Sequence, residues 1–148
     1  MLVQQYKSLI ADEVKIYSIL ANTSAFIYQN FKNLNWAGFY LAEGEVLYLS
    51  SFQGKIACTQ IPFSRGVCGK TAREQKTIVV DDVHEFKDHI ACDSASNSEV
   101  VIPIIVNSKL YGVLDLDSPL KSNFKDKEIV LTLEKIATEL ANKIKELL

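Results

Sequence analysis

"EVVIPIIVNSKLYGVLDLDS", residues 99–118, decides how this chain folds. Two runs of branched apolar residues meet at Asn107-Ser108, so the stretch reads as two antiparallel strands joined by a tight turn. If the strands pair about that turn, residue numbers across the hairpin sum to about 215. In the second strand Leu114, Asp115, Leu116 and Asp117 alternate. Side chains on a strand point to opposite faces with period two, so the leucines take one face and the aspartates the other. The same register sets Glu99 opposite the neighbourhood of Asp115 and Asp117, and three carboxylates collect at one end of the hairpin.

Two acids on one strand face ordinarily mark its solvated side. The segment just upstream offers a second reading. "IACDSASNSE", residues 90–99, sets Cys92 among small polar residues and acids at the edge of a buried strand. Crowded carboxylates raise the pKa of at least one of their number, which can then donate a proton near neutral pH. A thiol beside a proton donor supplies the parts of a reductive cysteine chemistry. Negative surroundings alone would raise the thiol pKa, so loop amides or the hydroxyls of Ser94 and Ser96 would have to offset them.

Working outward, "NWAGFYLAEG" and "EVLYLSSFQG" (residues 35–54) form a second hairpin, turning near Glu43-Gly44. Alternation puts Trp36, Gly38 and Tyr40 on one face and Ala37 and Phe39 on the other, so Trp36 and Tyr40 either fill core or wall a pocket with their polar tips in use. "IPFS" suits a strand edge or turn, "RGVCGKTAREQK" a short helix, and "TIVVDDV" a short strand. Residues 84–98 read as a long aperiodic loop, a length that in compact domains goes with function or disorder.

At the start, Leu2, Tyr6, Leu9, Ile10, Val14, Tyr17 and Leu20 recur at helical spacing, predicting one helix that ends near Asn22 and a second over residues 24–31. At the end, Ile129, Leu133, Ile136, Leu140, Ile144 and Leu147 predict a closing helix, with Asn123 as N-cap and Asp126 favouring its positive end. The order implies an α+β domain over residues 1–148, a central antiparallel sheet of five or six strands flanked by N- and C-terminal helices.

Composition bounds the function. With 148 residues, 48% hydrophobic and 23% charged, the chain has the makings of one ordinary core. A net charge of −2 and the lack of any basic cluster argue against nucleic acid or an anionic membrane as partner. The N-terminus lacks the apolar stretch of a signal peptide, and a cytoplasmic location is expected. Three cysteines, Cys58, Cys68 and Cys92, cannot all pair within one molecule. In a reducing cytosol they point to redox or metal chemistry, unless they are simply small buried hydrophobes. A zinc site from the three with His84 or His89 would lack the short paired spacing of structural zinc, so no metal and no cofactor is expected. Position alone also favours Cys68, in the first turn of its helix, where the dipole lowers a thiol pKa. Residue chemistry leaves Cys68 and Cys92 both open as nucleophile.

The motifs "NWAGFYL", "FQGKIACTQIPFSRGVCG", "VHEFKDHIACDSASNSEVVIPI" and "GVLDLDS", spanning residues 35–118, together resemble the free methionine-(R)-sulfoxide reductase family, small stand-alone GAF-domain enzymes. "GVLDLDS" is common among GAF domains, whereas the cysteine trio with "IACDSASNSE" is specific to this group. The resemblance implies reduction of free methionine-R-sulfoxide with thioredoxin as electron source. Cys92 would attack sulfur and become a sulfenic acid, Cys58 would resolve it as a disulfide, and Cys68 would be accessory. It further implies Glu99, Asp115 and Asp117 as substrate-binding acids, Trp36 and Tyr40 as pocket aromatics, and a homodimer. A GAF domain that senses a cyclic nucleotide is the rival reading, but such a pocket has little use for three clustered acids.

Overall fold

The structure, a computed structural model, describes residues 1–87 and 95–148. Cys92, with His89 and Ser94, belongs to residues 88–94, which lie outside the described residues. The elements run α1 (Leu2–Ile10), α2 (Ile16–Asn30), β1 (Trp36–Glu43), β2 (Val46–Gly54), β3 (Gln60–Pro62), α3 (Gly66–Glu74), β4 (Ile78–Val80), a 3-10 turn (Val83–Glu85), β5 (Ser98–Val106), β6 (Lys109–Ser118) and α4 (Lys127–Leu147). The strands form one six-stranded sheet in the order β3-β2-β1-β6-β5-β4, each neighbour antiparallel. The α+β class and the strand number follow the sequence reading.

The β5–β6 hairpin turns where expected. Asn107 and Ser108 both take positive φ, 53° and 64°, the backbone of a two-residue turn whose twist matches its strands. Val106 pairs with Lys109 and Ile105 with Leu110, after which an irregularity at Ile104/Ile105 shifts the register by one. Glu99 consequently lies opposite Asp117, with Asp115 opposite Val101. In the β1–β2 hairpin Gly44, at φ 61°, makes the turn without the penalty a Cβ would bring.

The sheet has two dissimilar faces. Ala37, Phe39, Val100, Ile102, Ile104, Leu114 and Leu116 point to one, where they pack against α1, α2 and α4. From α4 this core takes Leu133, Ile136, Leu140 and Ile144, as the periodicity predicts, with Ile129 and Leu147 at its margin. Trp36, Tyr40, Leu47, Val101 and Val113 point to the other, covered by α3 through Val67, Cys68 and Ala72.

Two helix boundaries differ from expectation. The N-terminal helix breaks after Ile10, and α2 then runs unbroken through Asn22. The polar Thr23 and Ser24 look like a terminus in sequence but are fully buried, because each hydroxyl donates back to a carbonyl one turn earlier, Ile19 O at 2.7 Å and Leu20 O at 2.9 Å. The Tyr6 hydroxyl completes the arrangement on Thr23 Oγ1 at 2.7 Å. Val14 and Tyr17, assigned to the buried face, are instead 71% and 70% exposed beside the break. That break is tied down by Lys143, which donates to Ala11 O at 2.8 Å. At α4 the N-cap is Asp126, accepting from the Glu128 amide at 2.9 Å, while Asn123 spends its side chain on Lys32 O.

Candidate active site

The site is built on the α3 face, where β1, β6 and β5 lie side by side. Register sets Asp115 beside Gly38 and Asp117 beside Trp36 on one flank, and Asp117 beside Glu99 on the other. Because Asp115, Asp117 and Glu99 share a face, side-chain hydrogen bonds link Glu99 to both aspartates. Glu99 and Asp115 are only 7% and 5% exposed, while Asp117 is half-buried. Burial pushes the Glu99 carboxyl well up, and the neighbouring charges of Asp115 and Asp117 push it further. Burial raises Asp115 as well, against hydrogen bonds from Glu99 and Cys68 that favour its charged form. For both carboxyls desolvation contributes more than the repulsion between crowded charges on which the sequence reading relied. Asp115 Oδ1 is buried with no hydrogen-bond partner among the described residues.

Cys68 departs from its helix-dipole reading. It does sit in the first turn of α3, at the third residue, but it is 3% exposed and points into the acids. One donor atom each from Cys68, Glu99 and Asp115 lies within 4.8 Å of the others. Burial first, then the charges of Asp115, Glu99 and Asp117, drive its thiol well above the ordinary value of 9.0. Half a unit charge at a helix end is outweighed by desolvation plus three nearby carboxyls. Cys68 is a free, neutral thiol, hydrogen-bonded to Asp115. A sulfur and two carboxylate oxygens this close could hold a small cation, whether an ammonium group or a divalent metal.

Trp36 and Tyr40 form the wall over the acids. Their rings stack at 5.9 Å and 24°, and Phe52 from β2 stacks on Trp36 at 5.3 Å and 15°. Phe52 is the aromatic that sequence reasoning missed. Hairpin pairing could have placed it near Gly38, but the irregularity between Gly38 and Tyr40 moves the register by one. Gly38 is required here, since a Cβ would stand 2.3 Å from Phe52 Cβ. Both polar tips are in use on one loop: Trp36 Nε1 donates to Lys55 O at 3.2 Å and the Tyr40 hydroxyl to Cys58 O at 2.9 Å. That loop, residues 55–59, joins β2 to β3 and carries Cys58, which is half-buried and disulfide-bonded. Burial and the surrounding acids push the Tyr40 phenol far above its usual range, so it stays a donor.

Of the expected site residues, Trp36, Tyr40, Cys68, Glu99, Asp115 and Asp117 converge on this face, with Cys58 tethered to it through the aromatic tips. His84 is exposed, its ring bonded to Asn97 Oδ1 at 3.0 Å and away from these acids in the hydrogen-bond network. No helix among the described residues is long and apolar enough to cross a membrane.

Comparison with known proteins bears on this arrangement. The GAF domain family matches residues 15–144. Over 139 residues the chain is 45% identical to a free methionine-R-sulfoxide reductase of Escherichia coli (strain K12), covering 90% of this chain and 84% of that protein. The fold superposes with TM-score 0.94 and 40% identity on free methionine-R-sulfoxide reductase from Neisseria meningitidis in complex with its substrate, covering 99% of this chain and 87% of that one. The reduced form of fRMsr of Staphylococcus aureus gives TM-score 0.93 at 45% identity, covering 97% and 92%.

Proposed function

The chain belongs to the GAF-domain family and, within it, to the free methionine-R-sulfoxide reductases, and from that premise we propose that it reduces free L-methionine-(R)-sulfoxide to methionine. The observation that carries the reading is the hydrogen-bonded group of Glu99, Asp115 and Asp117, the first two buried, beside the stacked Trp36, Tyr40 and Phe52 rings. A sulfoxide sulfur is a poor electrophile until its oxygen is hydrogen-bonded or protonated, and a carboxyl held neutral near pH 7 supplies that proton. The remaining carboxylate charge receives the substrate ammonium, for which Asp115 Oδ1 offers an unused acceptor among the described residues. Aromatic faces receive the S-methyl group, and a site closed around one free amino acid excludes methionine within a peptide.

In this mechanism the Cys92 thiolate attacks the sulfoxide sulfur. The oxygen passes to the cysteine as a sulfenic acid, and methionine departs. The Cys58 thiol then condenses with the sulfenic acid, releasing water and leaving a disulfide, which is consistent with the bonded state of Cys58. Two electrons and two protons from a thioredoxin-type protein dithiol in the cytoplasm restore both thiols. Cys68 stays neutral and donates to Asp115, steadying the carboxylate that faces the ammonium. A homodimer belongs to the same reading.

The test is incubation of racemic free methionine sulfoxide with protein and dithiothreitol, the epimers then being separated by chromatography. Selective loss of the R epimer is expected. Cys92→Ser should lower turnover at least about a thousandfold without changing the Tm of the reduced protein, because a hydroxyl replaces the nucleophile at nearly the same size. Wild-type turnover in that variant would remove Cys92 from the mechanism.

A further inference from the structure

We propose that Ile56 is the docking residue for the protein that returns electrons to Cys58, its side chain seating against an apolar surface beside the dithiol of a thioredoxin-type reductant. The inference rests on the disulfide cycle proposed above and adds the place at which the cycle is closed.

Ile56 is 90% exposed, more than any other large apolar side chain in the described chain except Met1. A lone exposed isoleucine is ordinary on a protein surface. This one is distinguished by where it stands and by how it is held. It lies two residues before Cys58, in a loop whose backbone is fixed at three carbonyls. Trp36 Nε1 holds Lys55 O at 3.2 Å, the Tyr40 hydroxyl holds Cys58 O at 2.9 Å, and the Leu49 amide holds Thr59 O at 2.9 Å. Ala57 and Cys58 are half-buried against the aromatic wall, so the same fixation that draws them inward keeps Ile56 outward. The exposed neighbours Gln53, Gly54, Lys55, Thr59 and Gln60 carry a single charge among them. A weakly charged surface with one rigid apolar projection beside a bonded sulfur suits a protein partner that docks by apolar contact and excludes water as the sulfurs meet. Val14, between α1 and α2, and Tyr17, in the first turn of α2, at 71% and 70% exposure, stand on the other side of the sheet and serve as controls.

The chemistry balances. A thiolate of the partner attacks Cys58 Sγ, the disulfide bond breaks, and the displaced sulfur leaves as a thiolate that takes up a proton. The partner's second thiolate then attacks its own half of the mixed disulfide, freeing the Cys58 thiol, and the partner departs oxidised by two electrons.

The experiment measures turnover with free methionine-R-sulfoxide for wild type, Ile56→Ser, Ile56→Asp and the control Tyr17→Ser, with either thioredoxin plus its NADPH-dependent reductase or dithiothreitol as reductant. Ile56→Ser should lower kcat/KM for thioredoxin about tenfold through KM, Ile56→Asp more, and Tyr17→Ser not at all, in keeping with loss of one central apolar anchor. The rate with dithiothreitol and the KM for sulfoxide should not change. A parallel assay without sulfoxide follows reduction of the oxidised protein by thioredoxin through thiol alkylation, and should show the same tenfold slowing. Equal losses with both reductants, unchanged thioredoxin kinetics, or an altered oligomeric state in place of an altered KM would each overturn the docking role. Absence of dithiothreitol-supported turnover in the wild type would overturn the reductase reading and the docking role with it.

Discussion

The two faces of β6 share one backbone and obey opposite rules. Toward the helices, Leu114 and Leu116 are fully buried among apolar neighbours, and the polar groups admitted there are answered: Tyr6 by Thr23, Thr23 by Ile19 O, Ser24 by Leu20 O. Toward α3, Asp115 is buried beside Glu99 and Cys68, whose pKa values its charge pushes up, and one of its oxygens has no partner among the described residues. Burial of like charges costs folding free energy, and a chain keeps such an arrangement when a ligand or a reaction uses it. Stability is concentrated on one side of the strand and chemical strain on the other, one residue apart.

The largest effect that sharpens this contrast is expected from Leu114→Ala. Leu114 is fully buried in the helix-side core, so truncation should cost about 2–5 kcal/mol in urea denaturation, through lost transfer free energy and a residual cavity. The kcat/KM per folded molecule should stay within about twofold of wild type, an estimate for a change confined to the other face. A large loss of activity in the surviving folded fraction would mean that the two faces are coupled through the strand.

Asp115→Asn, the adjacent residue, should do the reverse. It keeps size and a hydrogen-bonding amide but removes charge from the group that receives the ammonium, so kcat/KM for free methionine-R-sulfoxide should fall about a hundredfold, roughly 2.7 kcal/mol of transition-state binding. Unmodified protein should disfavour N-acetyl-methionine-R-sulfoxide by a similar factor, since capping removes the cation, and in Asp115→Asn that preference should narrow. Equal kcat/KM for free and capped substrates in the unmodified protein would sink the ammonium site.

How much of this division was legible in sequence depended on whether the deciding forces were local. The β5–β6 register was legible because two turn residues fix a short hairpin, and period two then sorts leucine from aspartate. Even there, the one-residue irregularity at Ile104/Ile105 decides that Glu99 faces Asp117 directly, and nothing in "VIPIIV" announces it. Thr23 and Ser24 misled because their hydroxyls are satisfied inside α2, for Thr23 by Tyr6 from another helix as much as by its own backbone. Cys68 misled for the same reason on a larger scale. Its helix position is local, whereas its burial among three acids comes from strands that lie 31 to 49 residues further along the chain, counting from Cys68 to Glu99 and Asp117. Phe52 was hidden by the β1–β2 irregularity, and Asp126 took the cap from Asn123 because Asn123 is held by Lys32 O across the fold.

The smallest expected effect is also the most direct measure of the strain itself. Folded Glu99 holds its proton to higher pH than the unfolded chain, whose ordinary value is near 4.5. Between those values the folded state binds more protons, so stability falls as pH rises. The favourable contribution of the neutral carboxyl is whole below the unfolded value and is lost as pH climbs through the folded one. Asp115 is shifted the same way from 3.8 and adds to the slope. Glu99→Gln is neutral at every pH and keeps an N–H donor for the aspartates, so it removes the Glu99 part of the slope. Urea denaturation at pH 4 should find variant and wild type equal, and at pH 8 the variant should be the more stable of the two. Its turnover should fall at both pH values, since the proton offered to the sulfoxide oxygen is gone. A variant less stable than wild type at pH 8 would show that an ionised Glu99 is compensated in the folded protein, and the contrast between the two faces of β6 would then be one of polarity without strain.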